Sequence, residues 1–364
     1  MSQGALDQAI GCFQLSLQQD NIVEDVERIQ VSVSLAQLLE QQGQTEESMD
    51  VLTSLDMESI DKALGFRVAL AKASAAVSLG EYDNAEYQFE ELEKEQEQVL
   101  GIAHAETVGT VQMLAATLDR IGKSEEAQSL YQRVYLSYRN TFGHGHPMTL
   151  GSLDDLANIS MKIYAVDEAE SLYKESIQIK TRCLGADHPR TAYAIQKLAA
   201  VDDLRRRHIE ARSKYQKALD IMLPTLGRAH PHYTSTMENL ASSLLWHGHR
   251  LEEESDVQHA IARSISKKSR TQGKNSSASR SENTDQVMRD AARTMAFTDA
   301  EKLLLDSLAI KKGAREIYTD EHLEQTATLL YKMYDSEPFF AACRDNKMTA
   351  LTELLREARR RGTM

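Results

Sequence analysis

The chain has 364 residues, 41% of them hydrophobic and 27% charged, enough apolar material for a folded core and too little charge for wholesale disorder. Its formal net charge of −13 gathers in residues 1–100, where five Lys/Arg face twenty Asp/Glu; such a surface repels nucleic acid and anionic membranes and attracts a basic partner. Three scattered cysteines, Cys12, Cys183 and Cys343, exclude a disulfide framework and fit a reducing, cytoplasmic compartment. No apolar run reaches the ~18–20 residues of a membrane span, and the early acids Asp7, Asp20 and Glu24 predict no signal peptide.

In chain order, residues 4–17 predict a helix that is the second half of a pair. Residues 25–55 predict a pair around LAQLLEQQGQTEESMDVL, and 61–79 the next first helix. From about residue 80 the chain repeats with a step of 42. Gly101, Gly143, Gly185 and Gly227 keep this step, as do His104, His146, His188 and His230. Between them run Leu114-Ala115, Leu156-Ala157, Leu198-Ala199 and Leu240-Ala241, then the series Ala85, Ala127, Ala169, Ala211 and Phe89, Tyr131, Tyr173, Tyr215.

Each unit reads as two amphipathic helices. In 188–204, Ala194, Ile195, Leu198, Ala199 and Val201 recur at helical spacing, and Ala211, Tyr215, Ala218 and Leu219 form a stripe on the second helix, 208–223. Pro189 suits a first helical position, His188 an N-cap and Gly185 a left-handed C-cap. The stretch CLGADHPRTA, with its thiol, carboxylate and imidazole, is therefore expected to be a structural joint. Its repeat-equivalents are Gly143, His146 and Pro147, then Gly185, His188 and Pro189, then Gly227, His230 and Pro231. Small Ala199 and Ala211 are expected to let paired helices approach closely.

After residue 262 the register breaks. Residues 263–281 hold six Lys/Arg and no acid, and 263–296 is expected to be a basic, Ser-rich disordered linker. The helix-pair pattern resumes over 297–335, with His322 near the joint position and Leu323 in place of proline.

The pattern resembles tetratricopeptide repeats of the 42-residue, kinesin-light-chain-like variety. The resemblance rests on the Leu-Gly, His-Pro and Thr191 joint, on the Leu-Ala pairs of the first helix, and on Glu168-Ala169 with Tyr173 and Glu210-Ala211 with Tyr215 in the second. It implies an all-α, right-handed α-solenoid over residues 1–262, close in pattern over 80–262 and weaker over 1–79. Residues 336–361, which include EPFFAACRDNKMTALTELLREA, resemble one ankyrin unit. Such a unit cannot bury its face alone, so the chain is expected to be a piece of a longer protein. In a solenoid of this kind the first helices line the concave wall, which places Gln112, Asp119, Asp154, Asn158, Gln196, Asp203, Glu238 and Ser242 toward a bound peptide. The resemblance implies peptide cargo; the four carboxylates argue against carrying over the family's preference for acidic cargo.

No P-loop, G-x-S-x-G, H-E-x-x-H or zinc-type cysteine pairing occurs, so no catalytic residue, cofactor or metal is expected. The pairs His144/His146, His230/His232 and His247/His249 read as exposed or structural side chains. Arg205–Arg207 close a first helix, where cations suit the negative dipole end. Two readings follow: a non-enzymatic interaction scaffold holding a peptide or protein segment, and a sensor or regulatory arm of a larger multidomain signalling protein. A basic ligand fits the acidic N-terminal repeats, and self-association stays open.

Overall fold

The computed structural model describes residues 8–14, 25–55, 61–270, 279–314, 317–336, 347–349 and 351–352, with the side chains of all but 25–26, 251–270, 279–290, 320 and 336. Among the described residues every element is a helix. Residues 8–14 form α1, followed by α2 (Asp25–Gln41), α3 (Thr45–Thr53), α4 (Lys62–Leu79) and α5 (Tyr82–Val99). Then come α6 (Ala105–Ile121), α7 (Ser124–Phe142), α8 (Pro147–Lys162), α9 (Val166–Leu184) and α10 (Pro189–Leu204). Last are α11 (His208–Leu226), α12 (Pro231–Arg270), α13 (Ser279–Gly313) and α14 (Asp320–Ser336). The chain divides into two compact units, Met1–Leu172 and Tyr173–Met364, with the boundary inside α9.

In the first unit α2 pairs with α3, α4 with α5 and α6 with α7, and each second helix packs on the next first helix. The alanines at the repeat positions explain the close approach: Ala85, Ala115, Ala127, Ala157 and Ala169 are all fully buried. Larger residues fill the space within a pair, as where Val108 and Val111 of α6 form one cluster with Val134 and Tyr138 of α7. Burying each such side chain contributes roughly 1.5–3 kcal/mol.

First and second helices are joined by one recurring turn. At Gly122, the Lys123 N–H donates to the Leu118 carbonyl at 2.9 Å and the Gly122 N–H to the Asp119 carbonyl at 3.3 Å, a Schellman pattern. The same pair of bonds closes the turns at Gly43, Gly80, Tyr164 and Arg206, all with positive φ. Return turns are different. Gly143 has φ 82° and ψ 171°, and Gly227 φ 81° and ψ 165°. The sequence pattern predicts a left-handed cap there; the observed ψ instead puts both glycines in a region essentially closed to other residues.

In the second unit α10 pairs with α11, and α12 runs for 40 residues through position 248, where the 42-residue step would place a turn. Its pairing partner comes from α13. Phe297, Ala300, Leu304 and Leu308 share a buried cluster with Leu240, Ala241 and Leu244. The segment between 248 and 297 is thus inserted between the two helices of one repeat. A Cβ on Gly248 would meet Phe297 Cε1 at 2.8 Å, which marks how closely the helices cross. Helix reaches into the stretch read as linker: α12 continues to Arg270 and α13 begins at Ser279, with 271–278 outside the described residues.

Helix α14 follows α13 as the next first helix. His322 does not cap it from outside. It lies within the first turn and reaches back, its Nδ1 accepting from the Thr319 N–H at 3.3 Å. Of the stretch 336–361, for which an ankyrin unit is expected from the sequence, most residues lie outside those described; residues 347–349 and 351–352 are helical, and Leu351 is buried in the cluster that holds Leu330, Met333 and Tyr334.

Candidate interaction surface

The histidines of the joints act as N-caps. The Nδ1 of His104, His146, His188 and His230 accepts the backbone N–H two residues on, from Glu106 (3.3 Å), Met148 (3.3 Å), Arg190 (3.1 Å) and His232 (3.2 Å). Pro147 and Pro189 take the first helical position after them, and Pro231 opens α12. The Thr191 hydroxyl donates to the Gly185 carbonyl at 2.9 Å, which ties the motif's ends together. His146 stacks on Phe142 at 4.5 Å, and His232 packs against Tyr193 at 5.1 Å. Burial, with His230 and Lys197 nearby, lowers the His232 pKa. Among the described residues no group of three or more His, Cys, Asp or Glu could hold a metal ion.

The first-helix faces place several of the expected residues in contacts within the protein. In the first unit the Gln112 amide donates to Asp155 Oδ2 at 2.8 Å. Asp119 Oδ1 accepts from the Ser124 hydroxyl (2.9 Å) and from Lys162 Nζ (2.7 Å), which joins one repeat to the next. Asp154 and Asn158 are half-buried on α8. In the second unit Asp203 Oδ1 accepts from the Ser243 hydroxyl at 2.5 Å and lies 3.0 Å from His208 Nδ1. Glu238 Oε1 takes Lys311 Nζ at 2.7 Å and the hydroxyls of Ser307 (2.8 Å) and Thr326 (2.6 Å). Ser242 is half-buried on α12. Gln196 is 5% exposed, and its Oε1 has no hydrogen-bond partner among the described residues.

Asp119, Asp203 and Glu238, all expected to face a ligand, therefore serve as acceptors within the protein. They also shape their surroundings. Burial raises the Tyr215 phenol, and Asp203 and Asp202 raise it further. The Asp155 carboxyl is likewise raised by burial, against the lowering effect of its Gln112 bond.

Two family models, both described as tetratricopeptide repeat, match residues 107–147 and 166–223. Residues 107–147 and 166–223 carry tetratricopeptide repeats. The solved structures similar to this chain bear the same fold. A Podosopora anserina structure described as kinesin light chain TPR-like repeats has a TM-score of 0.52 at 21% identity, covering 56% of this chain and 99% of that one. BtubC from P. vanneervenii has a TM-score of 0.54 at 16% identity, covering 62% and 94%. A Pyrococcus horikoshii signal transduction ATPase with numerous domains, described as having a tetratricopeptide repeat sensor, has a TM-score of 0.54 at 13% identity, covering 93% of this chain and 46% of that one. A comparison with curated proteins found no match.

Tetratricopeptide repeats support a protein-interaction scaffold as the role of this array. Among the described residues no helix is long and apolar enough to cross a membrane. Reading the repeat for its joints and Leu-Ala pairs misses a second series in the same step: Gly80, Gly122, Tyr164, Arg206 and Gly248. The first four hold the tetratricopeptide turns with positive φ, while Gly248 sits inside α12 against Phe297. Extending that series from Gly80 would have drawn attention to the two non-glycine turns and to the absent one.

Proposed function

We propose that the chain is a non-enzymatic adaptor whose first-helix faces, within each unit, hold an extended peptide or protein segment. The observation that carries this reading is Gln196: a polar side chain nine-tenths buried on a first helix, with an acceptor oxygen that no described residue satisfies. An unmade hydrogen bond at such a group costs about 1–3 kcal/mol, so turning the amide outward to accept from the backbone N–H of an extended peptide would relieve it. Asp154, Asn158 and Ser242 add half-buried polar groups on the same helix positions. With Asp119, Asp203 and Glu238 engaged, the face available to a ligand is less acidic than its sequence. The acidic excess of residues 1–100 suits a basic partner there, and the thiol pattern suits the cytoplasm.

The test compares the full chain with a variant carrying Asp154→Ala, Asn158→Ala, Gln196→Ala and Ser242→Ala in capture from cytosolic lysate, read by mass spectrometry. Glu238 stays intact because it anchors Lys311. Partners lost in the variant at an unchanged melting temperature support the reading; identical partner lists sink it. A second reading, a sensor arm of a larger signalling protein, is favoured by the fold likeness that runs over 93% of this chain to the sensor-bearing ATPase. A nucleotide-binding P-loop in the same reading frame would decide for it.

A further inference from the structure

We propose that the groove between α11 and α13, in the second unit, docks a partner segment that presents an arginine beside a bulky aliphatic residue. The walls of this groove are second helices, and its floor is α12. None of the residues assigned to the peptide-binding faces lines it, so the two sites stand or fall separately.

The repeat explains why the groove is open. In the first unit the matching seam, between α5 and α7, is closed by charge. Arg133 of α7 reaches across to α5, its Nη1 donating to Glu93 at 2.6 Å and its Nη2 to Glu97, and Lys123 pairs with Glu86 at 2.7 Å. Three steps of 42 carry Glu93 and Glu97 to Leu219 and Leu223 of α11. Two such steps, followed by the longer one that takes Ala211 to Ala300, carry Arg133 to Asp306 of α13. In the second seam a carboxylate thus replaces the crossing guanidinium, and leucines replace both of its acceptors. A cavity of about 370 Å³ is left between the walls, within the size range of ligand pockets.

The lining selects the occupant. Leu219, Leu223, Met237, Leu240, Leu303 and Ile310 give the groove apolar surface, and Leu223 is 39% exposed. Arg212 of α11 already crosses to Asp299 of α13, its Nη2 donating at 3.3 Å, so a guanidinium fits between these walls. Farther along both helices Asp220 and Asp306 line opposite walls. Asp220 accepts from the Gln216 amide at 2.9 Å, and Asp306 has no hydrogen-bond or ion-pair partner among the described residues. Lys302 and Arg228 complete the lining and make it neutral overall, so position rather than net charge decides. An arginine suits such a site because its stem is apolar and its head is a planar fork of donors. The stem lies on Leu219 and Leu223, the head bridges Asp220 and Asp306, and an aliphatic neighbour covers Leu303 and Ile310. The bound arginine restores the link that Arg133 makes in the first unit.

Isothermal titration of the full chain with acetyl-Ala-Leu-Arg-Leu-Ala-amide is expected to show saturable binding. The same peptide with citrulline for arginine keeps the shape without the charge, and should bind about tenfold weaker, the worth of a charge-assisted hydrogen bond. Asp306→Asn should weaken the arginine peptide about tenfold and leave the citrulline peptide unchanged. Leu223→Glu combined with Asp306→Arg rebuilds the Glu97–Arg133 link across the open seam. That variant should melt no lower than the parent and bind neither peptide, so lost binding cannot be lost folding. A preference for arginine that persists in Asp306→Asn would assign it to the acidic residues 1–100 and overturn the proposal. Equal affinity for the two peptides, parental binding in the double variant, or no saturable binding at all would overturn it as well.

Discussion

Replacing Gly248 by alanine separates two descriptions of α12 by the sign of the effect. In a free helix interior the exchange stabilises by roughly 0.5–1 kcal/mol, because glycine loses more conformational freedom than alanine. Here the new Cβ would stand 2.8 Å from Phe297 Cε1, 2.9 Å from Cζ and 3.3 Å from Cδ1, inside the ~3.5–4.0 Å optimum for carbon pairs. The ring has little room to yield. Phe297 is fully buried, His249 meets it edge-on at 5.7 Å, and the Arg293 guanidinium lies 5.4 Å from its centroid. Overpacking of this kind costs about 1–3 kcal/mol, so after the helical gain a net loss on the order of 1–2 kcal/mol remains. Thermal unfolding followed by circular dichroism should show a fall of about 2–8 °C. Phe297→Leu frees space at the contact, so the double variant should be more stable than the two single losses predict, the signature of coupled neighbours. A Gly248→Ala chain that melts higher than the parent would refute the pairing of α12 with the end of α13, and the inserted segment with it.

Three further outcomes follow from the packing and the titrating groups. Ala199→Phe should cost about 1–3 kcal/mol, since Ala199 is fully buried in the cluster with Ala211 and Tyr215; an unchanged denaturation midpoint would contradict that placement. Tyr164→Gly should stabilise by about 0.5–1 kcal/mol, because Tyr164 is 77% exposed and sits at φ 60°, so the exchange removes strain and little packing; a lower melting temperature would show that the ring matters. His232 is held below its ordinary pKa of 6.5 by burial, His230 and Lys197. The folded chain then binds fewer protons than the unfolded one, so this contribution is fully present above pH 6.5 and is lost as pH falls through the folded value. His232→Asn should flatten stability against pH on the acid side of 6.5, and an unaltered profile would assign the dependence elsewhere.

The fold was largely legible because a repeat states its own packing several times over. Four copies of Leu-Ala and of the second-helix alanine leave one arrangement in which small residues face each other, and the Gly-x-x-His-Pro joint carries its own capping chemistry. Legibility failed where a repeat is interrupted. Residues 250–262 are near the right distance for a second helix, yet they lack the small apolar position that Ala300, with Leu304 after it, provides 47 residues later than the step from Ala211 and Tyr215 requires (300 − 253 and 304 − 257). A basic, Ser-rich composition also reads as disorder, while the long helices α12 and α13 reach into it from both sides. The candidate site was legible in position and not in chemistry: spacing locates a residue on a helix face, but whether a carboxylate meets solvent or a neighbour's hydroxyl depends on what the adjacent repeat brings.

That last point changes what the surface can select. Asp119, Asp203 and Glu238 stand near the seams between successive helix pairs, and each finds a lysine or a hydroxyl from the next pair. Within the α12–α13 pair, Lys311 bonds Glu238 and also donates to the Thr326 hydroxyl of α14 at 2.9 Å, which ties that pair to the next helix. Lys311 is 3% exposed, and a lysine at that depth requires its partner, since breaking a buried pair costs about 3–5 kcal/mol. Carboxylates used in this way cannot also discriminate cargo by charge. On the proposed reading, selection on the first-helix faces falls to amide and hydroxyl groups such as Gln196 and Ser242, which would read peptide backbone and tolerate many side chains.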